Sequence, residues 1–433
     1  MRILDLGRYV SAICAALSIL VGCGEPQSAG APGAFAPTTA LAPTHIIGRR
    51  VLPAVSFQVL HRFRGGSDGA QPTARLLDVN DTMFGTTTSG GGTGCSSVGC
   101  GTVYTITPNH VETVLHSFSG GLDGWMPAAG LSKVNGTLYG TTRNGGGSCN
   151  CGTVYSISVN GLETVLHRFQ GGVYDGFDPA FAGVTNIHGT LYGTTFHGGG
   201  ASACGAGCGI AYSLNTATGA FTILHRFIGG SDGFYPTSTL LNVNGTLYGT
   251  TVGGGSSCDC GLVYTLSTNG TYKVLYNFNG GTDGWEPDSD LVDVNGILYG
   301  TTLYGGGEGC SYGAGGCGTV YSIGTSGAEK VVYSFRGGSD GAIPGAGLHN
   351  LNGTLYGVTS FGGGTQCTHG CGTVYSLTTT GVEKVVHAFA GGREGVSPDA
   401  DLIDLNGVLY GTTAFGPRCI WSEGCGIVFG LSP

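Results

Sequence analysis

Short stretches in which apolar and polar residues alternate recur along the chain, and turns rich in glycine separate them. One unit reads as four strands, at residues 131–134, 137–142, 153–158 and 163–169. Alternation with a period of two is typical of β-strands that have one face buried. The dipeptides Asn135-Gly136 and Asn160-Gly161 tolerate positive φ at both positions, so they predict tight hairpin turns. The pattern therefore predicts a four-stranded antiparallel meander.

This unit is repeated seven times. The tetrapeptide Tyr-Gly-Thr-Thr, or a close variant, begins at Phe84, Tyr139, Tyr192, Tyr248, Tyr299, Tyr356 and Tyr410. A Gly-Gly-x-Asp-Gly element places an acid at Asp68, Asp123, Asp175, Asp232, Asp283, Asp340 and Glu394. Solenoid repeats are usually shorter and have parallel strands. Repeated meanders of four strands predict an all-β, seven-bladed β-propeller.

The two ends of the repeat region indicate how the ring closes. Residues 57–63 match the fourth strand of a unit, whereas the last unit ends with its third strand at residues 427–431. We therefore expect the N-terminal strand to complete the last blade from the outside, which leaves no unpaired edge. The Asp-Gly connectors and the cysteine-containing loops should then lie on one face, and the Asn-Gly turns on the other. We expect a monomer.

Composition agrees with this fold and excludes one class of partner. Glycine accounts for 87 of 433 residues and charged residues for only 10%. Many short strands joined by glycine turns have such a composition, whereas a disordered chain would have few aromatic and β-branched residues. The net charge of −9, without a basic run, argues against binding to nucleic acid.

The N-terminus has the features of an export signal. Arg2 and Arg8 precede an apolar stretch, residues 9–22, that is too short to span a membrane comfortably. The stretch ends at Cys23 and resembles the bacterial lipobox, in which the cysteine is lipidated. We predict a lipoprotein signal peptide at residues 1–22, a flexible tether at 23–54 and the propeller at 55–433. The membrane would then be contacted only through the anchor at Cys23.

The other cysteines, apart from Cys14 in the signal, form seven close pairs. They are Cys95/Cys100, Cys149/Cys151, Cys204/Cys208, Cys258/Cys260, Cys310/Cys317, Cys367/Cys371 and Cys419/Cys425. An exported chain meets an oxidising compartment, which favours disulfides. The spacing within the pairs varies, whereas zinc sites need fixed spacing. We expect seven disulfides and no metal or cofactor.

The repeated elements resemble the GloVer tandem repeat of exported bacterial proteins with variable anchors. The resemblance rests on the Tyr-Gly-Thr-Thr elements, the Gly-Thr-Val-Tyr strands and the Asp-Gly-x-x-Pro connectors, and it covers residues 55–433. The family implies no established activity. A looser similarity to kelch propellers, through glycine doublets, concerns the architecture only.

Residues that occur in every blade are expected to serve the fold. The Asp-Gly acids should cap their own turns, since a calcium loop would bring several acids together. The fourth-strand histidines, replaced by Tyr276 and Tyr333, should pack or make one hydrogen bond. The third-strand tyrosines should pack between blades. They are Tyr104, Tyr155, Tyr212, Tyr264, Tyr321 and Tyr375.

Departures from the repeat are the better candidates for a site. Large aromatic residues follow Asp-Gly in four adjacent connectors, at Trp125, Phe177, Phe234 and Trp285, where other blades have alanine or valine. Aromatic platforms bind sugar rings and peptide side chains, and an exposed apolar patch often marks a contact surface. The alternative is that these rings wedge between blades.

The entry to the innermost strand is charged in three blades. Asp288 and Asp290 precede one such strand, Asp399 and Asp401 precede another, and Arg75 stands at the position of Asp290 and Asp401. Arg75 and Asp401 belong to neighbouring blades once the ring closes, so they are expected to pair. Two carboxylates across a channel could alternatively hydrolyse a glycoside.

No serine-hydrolase triad spacing, phosphate loop or dinucleotide fingerprint stands out. The leading hypothesis is a non-enzymatic extracytoplasmic lipoprotein, periplasmic or at the cell surface, that binds or scaffolds a glycan or protein partner. The alternative is a polysaccharide hydrolase or lyase that uses carboxylates at the channel mouth. A purely structural envelope protein is a third reading.

Overall fold

A computed structural model describes residues 56–433, apart from residues 93, 96–97, 180, 308–309, 311–314 and 417–424. All described residues belong to one compact unit, Val55–Pro433. The predicted signal peptide, the anchor Cys23 and the tether lie outside the described residues. Within the described part, no helix is long and apolar enough to cross a membrane.

Seven four-stranded sheets make up the fold. We call the strands of each blade inner, second, third and outer. The inner strands are Leu77–Val79, Ser132–Val134, Thr185–Ile187, Leu241–Val243, Val292–Val294, His349–Leu351 and Ile403–Leu405. The second strands are Thr82–Thr87, Thr137–Thr142, Thr190–Thr195, Thr246–Gly253, Ile297–Thr302, Thr354–Thr359 and Val408–Thr413.

The third and outer strands complete each sheet. The third strands are Thr102–Ile106, Thr153–Ser158, Ile210–Asn215, Leu262–Ser267, Thr319–Gly324, Thr373–Thr378 and Ile427–Ser432. The outer strands are Glu112–Ser117, Glu163–Arg168, Phe221–Arg226, Tyr272–Asn277, Glu329–Ser334, Glu383–Ala388 and Ser56–Arg62. Numbered by their inner strands, these are blades 1 to 7. Each is fully antiparallel, and blades 1 to 6 are meanders of four consecutive strands of the list above.

Short elements lie at the connector end of the blades. Two-residue strands at Gly176–Phe177 and His197–Gly198 pair with each other, and Phe234–Pro236 adds to the second strand of blade 4. The 3₁₀ turns are Gly66–Asp68, Ser202–Cys204, Gly230–Asp232, Gly281–Asp283, Gly338–Asp340 and Gly392–Glu394. No α-helix occurs among the described residues.

The N-terminal strand closes the ring, as the sequence predicted. Ser56–Arg62 pairs antiparallel with Ile427–Ser432, from Ser56 opposite Ser432 to Arg62 opposite Ile427. The pairing carries a bulge between Val59 and His61, where the outer strands of the other blades have one too. The strand donated by the N-terminus thus reproduces the local geometry of an ordinary outer strand.

Glycine in the Tyr-Gly-Thr-Thr element is required by close packing within each blade. A Cβ atom on Gly140 would lie 2.5 Å from the hydroxyl oxygen of Tyr155, which crosses it from the third strand. Tyr155 is fully buried, and its ring meets Phe118 of the preceding blade edge-on at 5.2 Å. The predicted packing of the third-strand tyrosines between blades is confirmed.

A repeated hydrogen bond clamps each blade to the preceding one. The backbone N–H of the residue before the connector proline donates to the carbonyl of the second cysteine of the preceding blade, as from Met126 to Cys100 at 2.9 Å. The clamped residue has positive φ, 58° at Met126. The same bond runs from Gln71 to Cys425 and joins blade 1 to blade 7.

Disulfides staple the loops that carry these carbonyls. Six of the predicted bridges are present, Cys95–Cys100, Cys149–Cys151, Cys204–Cys208, Cys258–Cys260, Cys310–Cys317 and Cys367–Cys371. Cys425 is also disulfide-bonded, whereas Cys419 lies outside the described residues. The disulfide interpretation of the cysteine pairs is confirmed for these six.

Candidate functional site

The Asp-Gly acids cap their own turns, as predicted. Asp175 accepts hydrogen bonds from the backbone N–H groups of Gln170 and Gly171, at 2.7 and 2.9 Å, and lies 3.0 Å from Nε2 of His167. The outer-strand histidine thus makes the polar contact expected of it, as His167 does with Asp175, whereas the tyrosine Tyr333 contacts two carboxyl groups. Among the described residues no group of three or more His, Cys, Asp or Glu side chains is arranged to hold a metal ion.

The outer strands also form a joint between neighbouring blades. His167 stacks on Phe221 of the next blade, with ring centroids 3.9 Å apart. Where the next blade offers glutamate instead, the joint is polar: the Tyr333 hydroxyl lies 2.9 Å from Asp340 and 3.3 Å from Glu383. These joints occupy the outer circumference and serve cohesion between blades.

The four predicted aromatic contacts lie on the connector face and are half-buried. Trp125, Phe177, Phe234 and Trp285 each pack against the hydrophobic cluster beside their own blade. The indole Nε1–H of Trp125 donates to the side-chain oxygen of Asn150 at 3.0 Å. Trp285 stacks on Tyr304 at 4.5 Å between centroids. These rings act as wedges, with part of each surface left in contact with solvent.

The charged channel residues bridge blades. The carboxylate of Asp290 accepts the backbone N–H of Thr239 at 2.5 Å, and that of Asp401 accepts the N–H of Gly347 at 2.5 Å. Thr239 and Gly347 occupy the same repeat position in the preceding blade as the aspartate does in its own blade, so each aspartate links equivalent positions of two neighbouring blades. No ion pair joins Arg75 to Asp401 among the described residues, so the expected pairing of these two is not observed, and Asp401 instead accepts the backbone N–H of Gly347.

Electrostatics nevertheless couple the three channel residues. Burial and, to a lesser extent, the nearby charge of Asp401 raise the pKa of Asp290 to about 7, against the opposing effects of Arg75 and of the hydrogen bond from Thr239. The Asp290 side chain retains some solvent contact but is surrounded by protein, and this desolvation disfavours its ionised form. Burial and the neighbouring carboxyl therefore favour the protonated form of Asp290.

Further carboxyls lie in the connectors that lead into the inner strands of blades 5 and 7. Burial raises the pKa of Asp399 to about 6, although a hydrogen bond of 2.6 Å from the Ser360 hydroxyl opposes the shift. Burial and, to a lesser extent, the charge of Asp288 raise the pKa of Glu286 to about 7. Burial also raises the pKa of Asp288. In these connectors burial therefore favours the protonated form of the carboxyls.

A second cluster, which sequence reasoning missed, lies on the connector face around blade 3. We call it the blade 3 corner, and it consists of Arg143, Asp178, Phe181, Phe196, His197 and Tyr235. Phe196 and Tyr235 stack at 4.5 Å, and Phe181 lies 5.1 Å from Phe196. Phe181 is 37% exposed, and the Arg143 guanidinium lies 5.3 Å from its ring centre.

Ionic contacts hold the polar half of the blade 3 corner. Nε of Arg143 lies 3.1 Å from Oδ1 of Asp178, a buried carboxylate, and Nδ1 of His197 lies 3.6 Å from Oδ2. The guanidinium is therefore fixed beside an exposed ring. Arginine over an aromatic face adds a cation–π contact of about 0.5–1 kcal/mol at exposed sites.

The sequence did contain a signal for this cluster. Blade 3 has one extra residue between Pro179 and Gly183, and Phe181 lies in that insertion. Arg143 and Phe196 follow Tyr-Gly-Thr-Thr, where other blades have small or aliphatic residues. Comparing the blades at these two positions would have identified the cluster.

Comparison with known proteins places the chain among bacterial repeat proteins. The family model of the Gloeobacter/Verrucomicrobia repeat matches residues 49–206 and 201–429. No curated protein matches this sequence.

Solved structures share the fold at low identity. The extracellular domain of a one-component system from B. thetaiotaomicron is similar with a TM-score of 0.52 and 9% identity, over 86% of this chain and 40% of that chain. Oligogalacturonate lyase from Vibrio parahaemolyticus is similar with a TM-score of 0.49 and 8% identity, over 88% and 97% of the two chains. At these identities the likeness concerns the fold alone.

Proposed function

Because this chain belongs to the Gloeobacter/Verrucomicrobia repeat family and closes into a seven-bladed propeller, we propose that it is an exported, non-enzymatic binding protein that presents its connector face to a glycan. Disulfides persist in oxidising compartments, and the six bridges support export. The sequence around Cys23 supports a lipid anchor, with the propeller carried on the tether.

The single observation that carries the glycan assignment is the blade 3 corner. It combines an exposed ring, Phe181, with an arginine that is held in place by Asp178. An apolar ring can cover the C–H face of a sugar, while fixed polar groups bond its hydroxyls, the combination typical of small-ligand sites. The solvent-exposed parts of Trp125, Phe177, Phe234 and Trp285 extend this surface around the connector face.

Truncation of the exposed ring tests the assignment. Wild-type protein and Phe181→Ala would be titrated with a panel of soluble bacterial and plant polysaccharides by calorimetry. We expect at least one polysaccharide to bind, and Phe181→Ala to weaken that binding about tenfold, equivalent to about 1.4 kcal/mol. Leu162→Ala is a matched control, because Leu162 is 74% exposed in a third-to-outer hairpin on the opposite face.

Two results would overturn the glycan assignment. One is binding that Phe181→Ala leaves unchanged, and the other is a wild-type protein that binds no polysaccharide. The second result would leave a protein partner as the occupant to test. Circular dichroism of both variants would show that the fold is intact, since neither side chain is buried in the core.

A second candidate, polysaccharide hydrolysis or lysis at the channel, is favoured by one observation. Asp290 has a raised pKa of about 7, and Asp401 lies near enough to contribute to that shift. A carboxyl whose protonated form is favoured by burial, with a second carboxyl nearby, is the kind of pair used for glycoside hydrolysis. Release of new reducing ends from a polysaccharide, abolished in Asp290→Asn, would support this activity. Turnover that is the same in wild type and variant would exclude these two residues from it.

A further inference from the structure

Six arginines line the outer edge of the connector face. We call them the arginine rim, and they are Arg62, Arg64, Arg168, Arg226, Arg336 and Arg393. Three end outer strands, and the other three lie in the following connectors. All six are exposed. The strand direction brings them to the same edge, because every outer strand runs towards the connector that leads into the next blade.

Nothing in the fold demands arginine at these positions. The outer-strand position of Arg168 and Arg226 is Ser117, Asn277, Ser334 or Ala388 in other blades. These alternatives make the same strand pairing. Because this position accepts different residues without a change in the strand pairing, an arginine there can contribute to ligand binding. The arginine rim is therefore a feature of particular blades.

The arginine rim carries positive charge that is exposed to solvent. Among the described residues, none of its six guanidinium groups forms an ion pair, and the described ion pairs belong to Arg143 and to histidines. The Asp-Gly acids beside the rim accept hydrogen bonds from turn backbones, as Asp68 does from the N–H of Arg64 and Asp340 from that of Arg336. Glu163 and Glu383 interact electrostatically with Arg168 and Arg336, but among the described residues they form no ion pair with them.

Two members of the rim are held in position. Nε of Arg168 donates to the carbonyl of Leu122 at 3.2 Å, and Nη1 of Arg226 donates to that of Gly199 at 3.4 Å. Arginine has five N–H donors, so each keeps several for a ligand. A guanidinium that is positioned before binding loses less side-chain entropy when it binds.

The chemistry of the side chain indicates the ligand. The exposed basic residues at the opposite end of the blades are lysines, at Lys133, Lys273, Lys330 and Lys384, whereas the rim contains only arginine. Arginine binds planar carboxylate and tetrahedral sulfate or phosphate groups in a bidentate manner, which lysine cannot do. The overall charge of −9 shows that the rim is a local basic feature.

We infer that the arginine rim binds an acidic polysaccharide, through uronate or sulfate groups spaced along the polymer. The inference rests on the proposed function, because it names the class of glycan that the connector face would take. An extended polymer suits a set of separate guanidinium groups around an edge. Nucleic acid needs closely clustered basic residues to neutralise its dense phosphates.

The test distinguishes binding to the charged groups of a polysaccharide from binding to its sugar rings. The full chain would be titrated by calorimetry with polygalacturonate and with its methyl ester, and also with dextran sulfate and with dextran. We expect the carboxylate or sulfate polymer to bind and its neutral counterpart to bind at least tenfold more weakly. Affinity should fall as sodium chloride is raised, because exposed charges are screened.

Matched double variants locate the contact. R168Q/R226Q should weaken binding of the acidic polymer about tenfold, since each guanidinium makes charge-assisted hydrogen bonds. K330Q/K384Q removes the same charge from the opposite end and should change affinity less than twofold. An equal loss in both variants would show unspecific attraction and overturn the inference. Binding of neutral polymers alone would overturn it but keep the proposed function, and binding of no polymer would overturn both.

Discussion

The Tyr333 hydroxyl lies within hydrogen-bonding distance of two carboxyl groups, although it has only one proton to donate. Its distances are 2.9 Å to Asp340 and 3.3 Å to Glu383. The joint with Tyr276, Asp283 and Glu329 has the same composition. Both carboxylates can be satisfied only if one of them carries a proton. Burial, followed by the charge of Asp283, raises the pKa of Glu329 to about 7, and burial raises the pKa of Glu383.

These joints predict that stability falls as pH rises. A carboxyl with a raised pKa in the folded state contributes fully below its ordinary value of 4.5, and that contribution is lost as pH rises to about 7. We expect Glu329→Gln with Glu383→Gln to resemble wild type at pH 4.5 and to exceed its free energy of unfolding at pH 8 by about 1 kcal/mol. This figure is kept small because both carboxyls are partly exposed.

Urea unfolding at a series of pH values would measure this difference. Lys384→Gln is the matched control, because Lys384 neighbours Glu383 on the same strand and is exposed. Its pH profile should parallel that of wild type. A wild-type stability that rises from pH 5 to pH 8 while the double variant stays flat would contradict the proton-sharing account.

The buried third-strand tyrosines predict a stabilising substitution. The hydroxyl of Tyr321 is fully buried and has no hydrogen-bond partner among the described residues, and the equivalent residue in blade 7 is Phe429. A buried polar group without a partner costs about 1–3 kcal/mol. We expect Tyr321→Phe to raise the free energy of unfolding by about 1 kcal/mol in thermal or urea melts.

A partnered tyrosine provides the comparison. Tyr276 donates to Asp283 at 2.9 Å, so Tyr276→Phe should lower stability by about 1 kcal/mol at pH 8. Equal effects of the two substitutions would show that the Tyr321 hydroxyl has a partner, such as an ordered water.

At the scale of the element, the strands were well predicted because local chemistry determines them. The predicted strand at residues 153–158 is observed as Thr153–Ser158, and residues 163–169 as Glu163–Arg168. Asn-Gly turns set the hairpin register, and alternation assigns the faces. Both signals depend only on residues that are neighbours in the sequence, so they can be recognised without knowledge of the tertiary structure.

Features that depend on contacts between blades were not predictable in the same way. Glu286 takes positive φ, 57°, and donates its N–H to Cys260 of the preceding blade. No residue close to Glu286 in the sequence indicates that the carbonyl of Cys260 accepts this hydrogen bond. Asp290 and Asp401 were recognised as charged channel residues, but their bonds to Thr239 and Gly347 arise only when the ring forms.

The clamp also assigns a role to the stapled loops. The second cysteine of each pair supplies the carbonyl that holds the next connector, so the disulfide fixes one half of a contact between blades. We expect Cys204→Ser with Cys208→Ser to lower the free energy of unfolding by about 2 kcal/mol, the chain-entropy value for so short a loop. Urea unfolding without reductant measures this loss.

Reduction of the disulfides provides a control for the effect of the Cys204–Cys208 bridge. Wild-type protein with dithiothreitol should lose more stability than the double variant, because all the bridges open. Adding dithiothreitol to the double variant should lower its stability further. An unchanged midpoint in the double variant would show that the loop holds its conformation without the bridge.

At the scale of the whole molecule, stability depends on a strand that lies far from its partner in sequence. Phe57 of the N-terminal strand stacks on His387 at 4.1 Å and contacts Phe429 at 5.5 Å, so the strand joins blade 6 to blade 7. Blade 7 thus contains both ends of the described chain. Its outer strand therefore both pairs with the third strand of blade 7 and packs against blade 6.

Removal of this strand should therefore open the ring. Protein that begins at residue 63 would leave Ile427–Ser432 with a free edge and uncover Phe429, which is fully buried in the intact ring. Free edges promote pairing between chains. We expect it to form oligomers by light scattering and to melt at least 10 °C below protein that begins at residue 56, which should be a monomer with one transition. A monomeric, equally stable protein that begins at residue 63 would show that the propeller does not need closure, because the other blades would then hold the ring by their clamps alone.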